Sequence, residues 1–234
     1  MLRPPLVVFD LDGTLVDSAP DLVDALNVVL ARIGLSSIAY GEARNMVGGG
    51  ARKMIERGLA AEGRCVAPAE LDRLVVDFIG HYALHIADRS RPVAGAADAL
   101  DRLAQGGCRL AVCTNKLEWL ARRLLDALAL SQLFVAICGP DTFGLQKPDP
   151  GFLRSTILRA GGAPEQQTVM VGDSISDVSM GRAAGIPVVA VNYGYTDTPA
   201  AELGADRVIS RLADLPPVVF ELLAVARATR TNAS

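Results

Sequence analysis

The segment Asp10-Leu11-Asp12-Gly13-Thr14 places two carboxylates two residues apart, directly after an apolar run at residues 6–9. Such a pair can divide a phosphoryl transfer between its members. Asp10 can attack phosphorus and form an aspartyl phosphate, which splits one difficult step into two. Asp12 can protonate the departing oxygen and then activate the hydrolytic water. Gly13 permits a sharp turn out of the run, and Thr14 can hydrogen-bond within that turn. Three further polar sets follow later apolar runs: Thr114 with Asn115, Lys147 in Gln146-Lys147-Pro148-Asp149, and Asp173 with Asp177 in Gly172-Asp-Ser-Ile-Ser-Asp177. Gathered at one point, four carboxylates and one ammonium repel, and at least one acid rises above its usual value of about 3.9. A divalent cation relieves this. Oxygen donors with no His or Cys among them favour a hard ion, and Mg²⁺ is the expected cofactor. A cation, a lysine and a threonine hydroxyl facing one point suit a phosphoryl group. A lysine and a phosphate charge about 4 Å apart attract by roughly 4 kcal/mol at an effective dielectric near 20.

These residues converge only if the runs that precede them are parallel strands ending on one edge. Apolar runs at 6–9, 110–113, 134–138, 168–171, 188–191 and 207–209 alternate with helical patterns at 96–105, 116–128, 152–160 and 177–184. That alternation is the signature of crossover-connected parallel strands. Most of the runs are apolar along their whole length, as expected of strands covered on both faces. The predicted fold is α/β, a doubly wound, mainly parallel Rossmann-like core. One stretch departs from it. Residues 18–90 show helical patterns and no strand, with Ser18 a candidate N-cap, Pro20 in the first turn, and Leu22, Val23, Leu26, Val29, Leu30 and Ile33 on one face. Further helices are expected at 51–61 and from Pro68 towards Ala87. Residues 1–17 and 91–234 then form a discontinuous catalytic core, and 18–90 a helical cap over the edge where doubly wound sheets bind ligands. Residues 226–234 read as a frayed tail.

Composition narrows the alternatives. The chain has 234 residues, half of them hydrophobic, and a formal charge of −3. It therefore lacks the basic footprint of a nucleic-acid binder. Four scattered cysteines, Cys65, Cys108, Cys113 and Cys138, form no Cys-x-x-Cys pair and read as small buried side chains in a reducing compartment. The opening residues form no secretory signal, and no apolar stretch approaches the ~20 residues of a bilayer span. A cytoplasmic protein with a small phosphorylated metabolite as its partner is expected, either monomeric or dimeric.

The ordered set Asp10-x-Asp12-Gly13-Thr14, Thr114, Lys147-Pro148 and Gly-Asp173-x-x-x-Asp177 resembles the haloacid dehalogenase-like superfamily over nearly the whole chain. The resemblance implies that Asp10 and Asp173 bind Mg²⁺ through their side chains and Asp12 through its backbone carbonyl. It makes Asp177 a supporting residue beside the metal. Thr114, Asn115 and Lys147 become phosphate-binding residues, and a helical cap follows the first strand. Within the superfamily the chain is most similar to phosphoglycolate phosphatases, through Asp10 to Ser18, Val47-Gly-Gly-Gly-Ala-Arg-Lys-Met-Ile-Glu-Arg-Gly-Leu59, Ala111-Val-Cys-Thr-Asn-Lys116 and Gly139 to Asp149. It has Gly139-Pro140-Asp141 where that group often has Gly-Gly-Asp. The resemblance implies hydrolysis of 2-phosphoglycolate; a sugar phosphatase and a capped phosphomutase are the near alternatives. A receiver-like signalling domain is disfavoured by Asp12 and by the size of the insert. Gly48 to Gly50 either simply separate two helices or form a cap loop over the substrate. In the second case Gly49 lines the site and Arg52 or Lys53 meets a substrate carboxylate. His81 and His85 are four apart on a helix, but no third ligand accompanies them.

Overall fold

Strand β1, Leu6–Phe9, is buried along its whole length, and alternate residues serve two separate cores. Val7 and Phe9 pack into one, Leu6 and Val8 into the other. This double burial is why the sequence shows an unbroken apolar run rather than an alternating one. The computed structural model describes residues 4–231. Met1 to Arg3, where the expected absence of a signal begins, and the last three residues of the expected tail lie outside the described residues.

Among the described residues the other elements are β2 (Val16–Asp17), α1 (Ala19–Arg32), α2 (Tyr40–Ala43), α3 (Ala51–Ala61), α4 (Pro68–Leu84), β3 (Arg91–Pro92), α5 (Ala96–Gln105), β4 (Arg109–Cys113), α6 (Glu118–Ala127), β5 (Ala136–Cys138), α7 (Pro140–Phe143), α8 (Pro150–Arg159), β6 (Thr168–Gly172), α9 (Ile175–Ala184), β7 (Val188–Val191), β8 (Arg207–Ile209) and α10 (Leu215–Thr231). Six strands form one parallel sheet in the order β5-β4-β1-β6-β7-β8. The strand order reverses around β1, so the crevice beyond its carboxyl end is the topological switch point where such sheets bind ligands. Helices α5, α6 and α10 cover one face of the sheet; α8 and α9 cover the other.

Between β1 and β4 the chain makes the helices α1 to α4. Leu22, Val23, Leu26, Val29 and Leu30 of α1 are buried in the same apolar cluster as Leu74, Phe78 and Tyr82 of α4. The chain enters this helical stretch through β2 and leaves it through β3, which pair antiparallel as Val16 with Pro92 and Asp17 with Arg91. So short a ladder leaves no periodicity to read in the sequence.

Several local expectations need correction. Ser18 stands at the N-cap position of α1 but makes no side-chain cap, because its hydroxyl is given to Asp12. The helix expected at 116–128 is shortened to α6. That helix starts at Glu118, whose N–H donates to the Asp141 carboxylate. Cys65 is exposed, unlike the other three cysteines. Much of the expected tail continues α10. No helix among the described residues is long and apolar enough to cross a membrane.

Candidate active site

Asp10 is the first residue beyond β1, and its N–H donates to the carbonyl of Val171 on β6, 2.8 Å away. The chain then turns at Gly13, whose φ of +81° lies in the left-handed region. A side chain there would also collide with Asp173, since a Cβ would sit 2.6 Å from its Oδ2. Glycine is therefore required twice over, by conformation and by space. The same crowding holds at Gly172, where a Cβ would lie 2.3 Å from Cγ of Asp177.

Three of the sequence-predicted acids meet. Asp10, Asp173 and Asp177 are buried, and each offers a carboxylate oxygen within 4.8 Å of the others. Lys147 joins them from the loop after β5. Its ammonium lies 2.7 Å from Oδ1 of Asp10 and 2.7 Å from Oδ1 of Asp177. Oδ1 of Asp10 also accepts from the Leu11 N–H at 2.6 Å, leaving Oδ2 without a donor among the described residues. Asp177 is more fully committed, because its Oδ2 accepts from the Ser174 hydroxyl and N–H as it starts α9. Asp173 takes the Tyr195 N–H on Oδ2 at 2.7 Å.

One ammonium does not balance three buried carboxylates. Burial, resisted by Lys147 and reinforced by Asp177 and Asp173, pushes the Asp10 carboxyl up to about 8. Burial and Asp177 likewise push Asp173 up to about 7, against the Tyr195 N–H. Burial alone would lower Lys147, but Asp10 and Asp177 hold it above the ordinary lysine range. The residues present thus fit a divalent cation: hard oxygen donors, an excess of negative charge, and glycines that keep the space around Asp173 and Asp177 clear.

Asp12 stands apart from the trio. Its Oδ1 accepts from the Ser18 hydroxyl at 2.5 Å, and its Oδ2 lies 3.2 Å from the ammonium of Lys116. Lys116 in turn donates to the Tyr82 hydroxyl at 3.0 Å. Asp10 and Asp12 both line a cavity of about 230 Å³, walled by Val47 to Arg52 and Met54 but not Lys53, by Phe78 and Tyr82 of α4, and by Thr114 to Leu117. Thr114 and Asn115 therefore reach the same space as the aspartates. Asn115 also holds the wall in place: its Oδ1 accepts from the Lys147 N–H at 2.9 Å, and its Nδ2 donates to the Gly48 carbonyl at 3.3 Å. Gly49 and Arg52 line the cavity, but the Arg52 guanidinium is paired with Asp72 on α4.

Known proteins share the sequence and the fold that carry this site. The profile of the haloacid dehalogenase-like hydrolases matches residues 7–191. The chain belongs to that family. Among relatives of this haloacid dehalogenase-like hydrolase, a phosphoglycolate phosphatase of Agrobacterium fabrum is 47% identical over 219 residues, 94% of each chain. One of Caulobacter vibrioides is 44% identical over 231 residues, 99% of this chain and 97% of the relative. Among solved structures, a predicted phosphoglycolate phosphatase of Haemophilus somnus superposes with a TM-score of 0.84 at 27% identity, covering 93% of this chain and 99% of the other.

Sequence reasoning missed three participants. Lys116 directly follows Thr114 and Asn115 and was legible by position. Tyr195 lies in the loop after β7, another strand end on the same edge. Tyr82 carried no signal, since its spacing on α4 reads as ordinary core.

Proposed function

We propose that this family member is a Mg²⁺-dependent phosphatase that hydrolyses 2-phosphoglycolate to glycolate and phosphate. The observation that carries the reading is the double membership of Asp10, which belongs to the acidic trio and also lines the cavity. A phosphate ester in that cavity meets a carboxylate nucleophile at its base. The names of the relatives supply the substrate.

In this reading Asp10 attacks phosphorus and the bond to the ester oxygen breaks, while Asp12 delivers a proton to that oxygen as it departs. Asp12 then takes a proton from water as the water attacks the aspartyl phosphate, which restores Asp10. Lys147 offsets charge on Asp10 and the phosphoryl oxygens. The Thr114 side chain accepts the Lys116 N–H and keeps its own proton for a phosphoryl oxygen. Asn115 fixes the backbone of Lys147 and Gly48. Gly49 and Arg52 belong to the substrate-binding wall. Asp10 and Asp173 would hold Mg²⁺ through their side chains and Asp12 through its backbone carbonyl, with Asp177 supporting; the ion supplies positive charge for the transferring phosphoryl group. Residues 18–90 act as the cap, with the remainder as the catalytic core.

The test is steady-state release of inorganic phosphate from a panel of small phosphomonoesters with Mg²⁺. Highest kcat/KM on 2-phosphoglycolate, lost on chelation, is expected. Isomerised substrate without phosphate release would mean a mutase, and no preference for 2-phosphoglycolate would remove the substrate assignment.

A further inference from the structure

Lys116 is a charged residue in an expensive place. Its side chain is only 4% exposed, yet it lines the cavity. Its ammonium lies against the Asp12 carboxylate and the Tyr82 hydroxyl, partners that favour the charged form. An ammonium has three donors. Asp12 Oδ2 at 3.2 Å and the Tyr82 hydroxyl at 3.0 Å account for two of them. Among the described residues no acceptor takes the third.

We propose that Lys116 is the specificity residue that reads the carboxylate of the substrate, an inference that rests on the assignment of 2-phosphoglycolate above. The geometry ties two requirements together. Proton delivery by Asp12 demands that the ester oxygen sit within hydrogen-bond reach of its carboxyl group. In a phosphorylated 2-hydroxy acid the carboxylate carbon is two bonds from that oxygen. A substrate placed for reaction therefore carries its carboxylate to the immediate neighbourhood of Asp12, where the Lys116 ammonium already sits. The surrounding wall is apolar, with Leu22, Phe78, Ile79 and Leu120 lining the same cavity. Attraction there is less screened than at the surface.

The other cation on the wall suits the task less well. Arg52 has half its side chain exposed and is paired with Asp72. Its charge is shared with a carboxylate and with water before any substrate arrives. Exposed pairs of this kind contribute little. Lys116 reaches the cavity from the loop after β4, next to Thr114, so phosphate and carboxylate would be read by neighbouring residues of one loop.

The experiment compares kcat/KM on 2-phosphoglycolate and on ethyl phosphate, the same two-carbon ester without the carboxylate, for the wild type and for Lys116→Met, Lys116→Gln and Arg52→Ala. The two Lys116 variants should lose roughly 30- to 100-fold on 2-phosphoglycolate, mainly through KM, as expected of one hydrogen bond to a charged group. Loss of the Asp12 partner lowers activity on both esters, but the loss on ethyl phosphate should be roughly tenfold smaller. Activity on ethyl phosphate in the same preparation certifies the fold, and Gln retains an N–H for Asp12 without the charge. Equal losses on both esters would reduce Lys116 to a support for Asp12 and overturn the proposal. So would loss of the preference in Arg52→Ala with its retention in both Lys116 variants. A wild type that fails to prefer 2-phosphoglycolate over ethyl phosphate would instead sink the substrate assignment itself.

Discussion

The floor and the wall of the cavity are built on opposite principles. The floor, where Asp10 lines the cavity and Asp173, Asp177 and Lys147 stand behind it, is ionic, with charged contacts of 2.7 Å between Lys147 and two of the acids. The wall, from Val47 to Arg52, at Met54 and along α4, is mostly apolar and held by packing around Phe78 and Tyr82. Polar groups in the floor have few substitutes, because each buried charge depends on its neighbours. An apolar wall accepts replacements of similar volume at modest cost. On the proposed reading, the chemistry depends on the ionic cluster and substrate choice on the residues around it.

The largest effect should come from removing the proposed nucleophile in the floor. Asp10→Asn is expected to lower kcat by roughly a thousandfold or more while leaving the circular dichroism spectrum unchanged. Near-normal turnover would reverse the assignment. Asp12→Ala should cost about 10²- to 10⁴-fold, and rapid-quench trapping should show accumulated phosphoenzyme if the second step is slowed more than the first. Lys147→Met should lower the melting temperature of chelated protein, because it leaves Asp10 and Asp177 buried without their cation; losses from breaking such pairs run about 3–5 kcal/mol.

A subtler effect follows from the raised carboxyl of Asp10. Its value moves from 3.8 when unfolded to about 8 when folded, so native chelated protein binds an extra proton between those limits. The stability this contributes is present at low pH and is lost as pH rises through about 8. Asp10→Asn should accordingly raise the melting temperature of chelated protein more at pH 8 than at pH 4. A gain independent of pH would show that burial is not what shifts Asp10. The smallest effect is expected in the wall: Arg52→Ala removes an exposed pair worth roughly 0.2–1 kcal/mol and should change kcat/KM by less than about threefold.

The floor was legible in the sequence because its geometry is simple. Parallel strands end on one edge, and Asp10, Lys147 and Asp173 each follow an apolar run. The β7 and β8 runs at 188–191 and 207–209 are reproduced to the residue; β7 is buried throughout, which writes a continuous apolar stretch, whereas in β8 Ile209 alone is buried. The wall was less legible. Nothing distinguishes Tyr82 from core residues until α4 is folded against the sheet's edge, and Lys116 looks like an ordinary loop lysine until Asp12 is placed beside it. Ser18 shows the ambiguity most sharply. Its type and position suit a helix cap, yet a nearby carboxylate is the stronger acceptor for its hydroxyl. The β2–β3 pair escaped notice because two residues per strand carry no period.

Asn115 has one more consequence. Its amide is directional: the oxygen faces a donor on Lys147 and the nitrogen faces an acceptor on Gly48. An Asp at this position would have the same outline, but its carboxylate would confront the Gly48 carbonyl with a second acceptor. The exchange would alter no volume and break no apolar contact, yet one arm of the strut would change from attraction to repulsion. The Asn115 amide thus ties Lys147 to Gly48 by polarity as well as by shape.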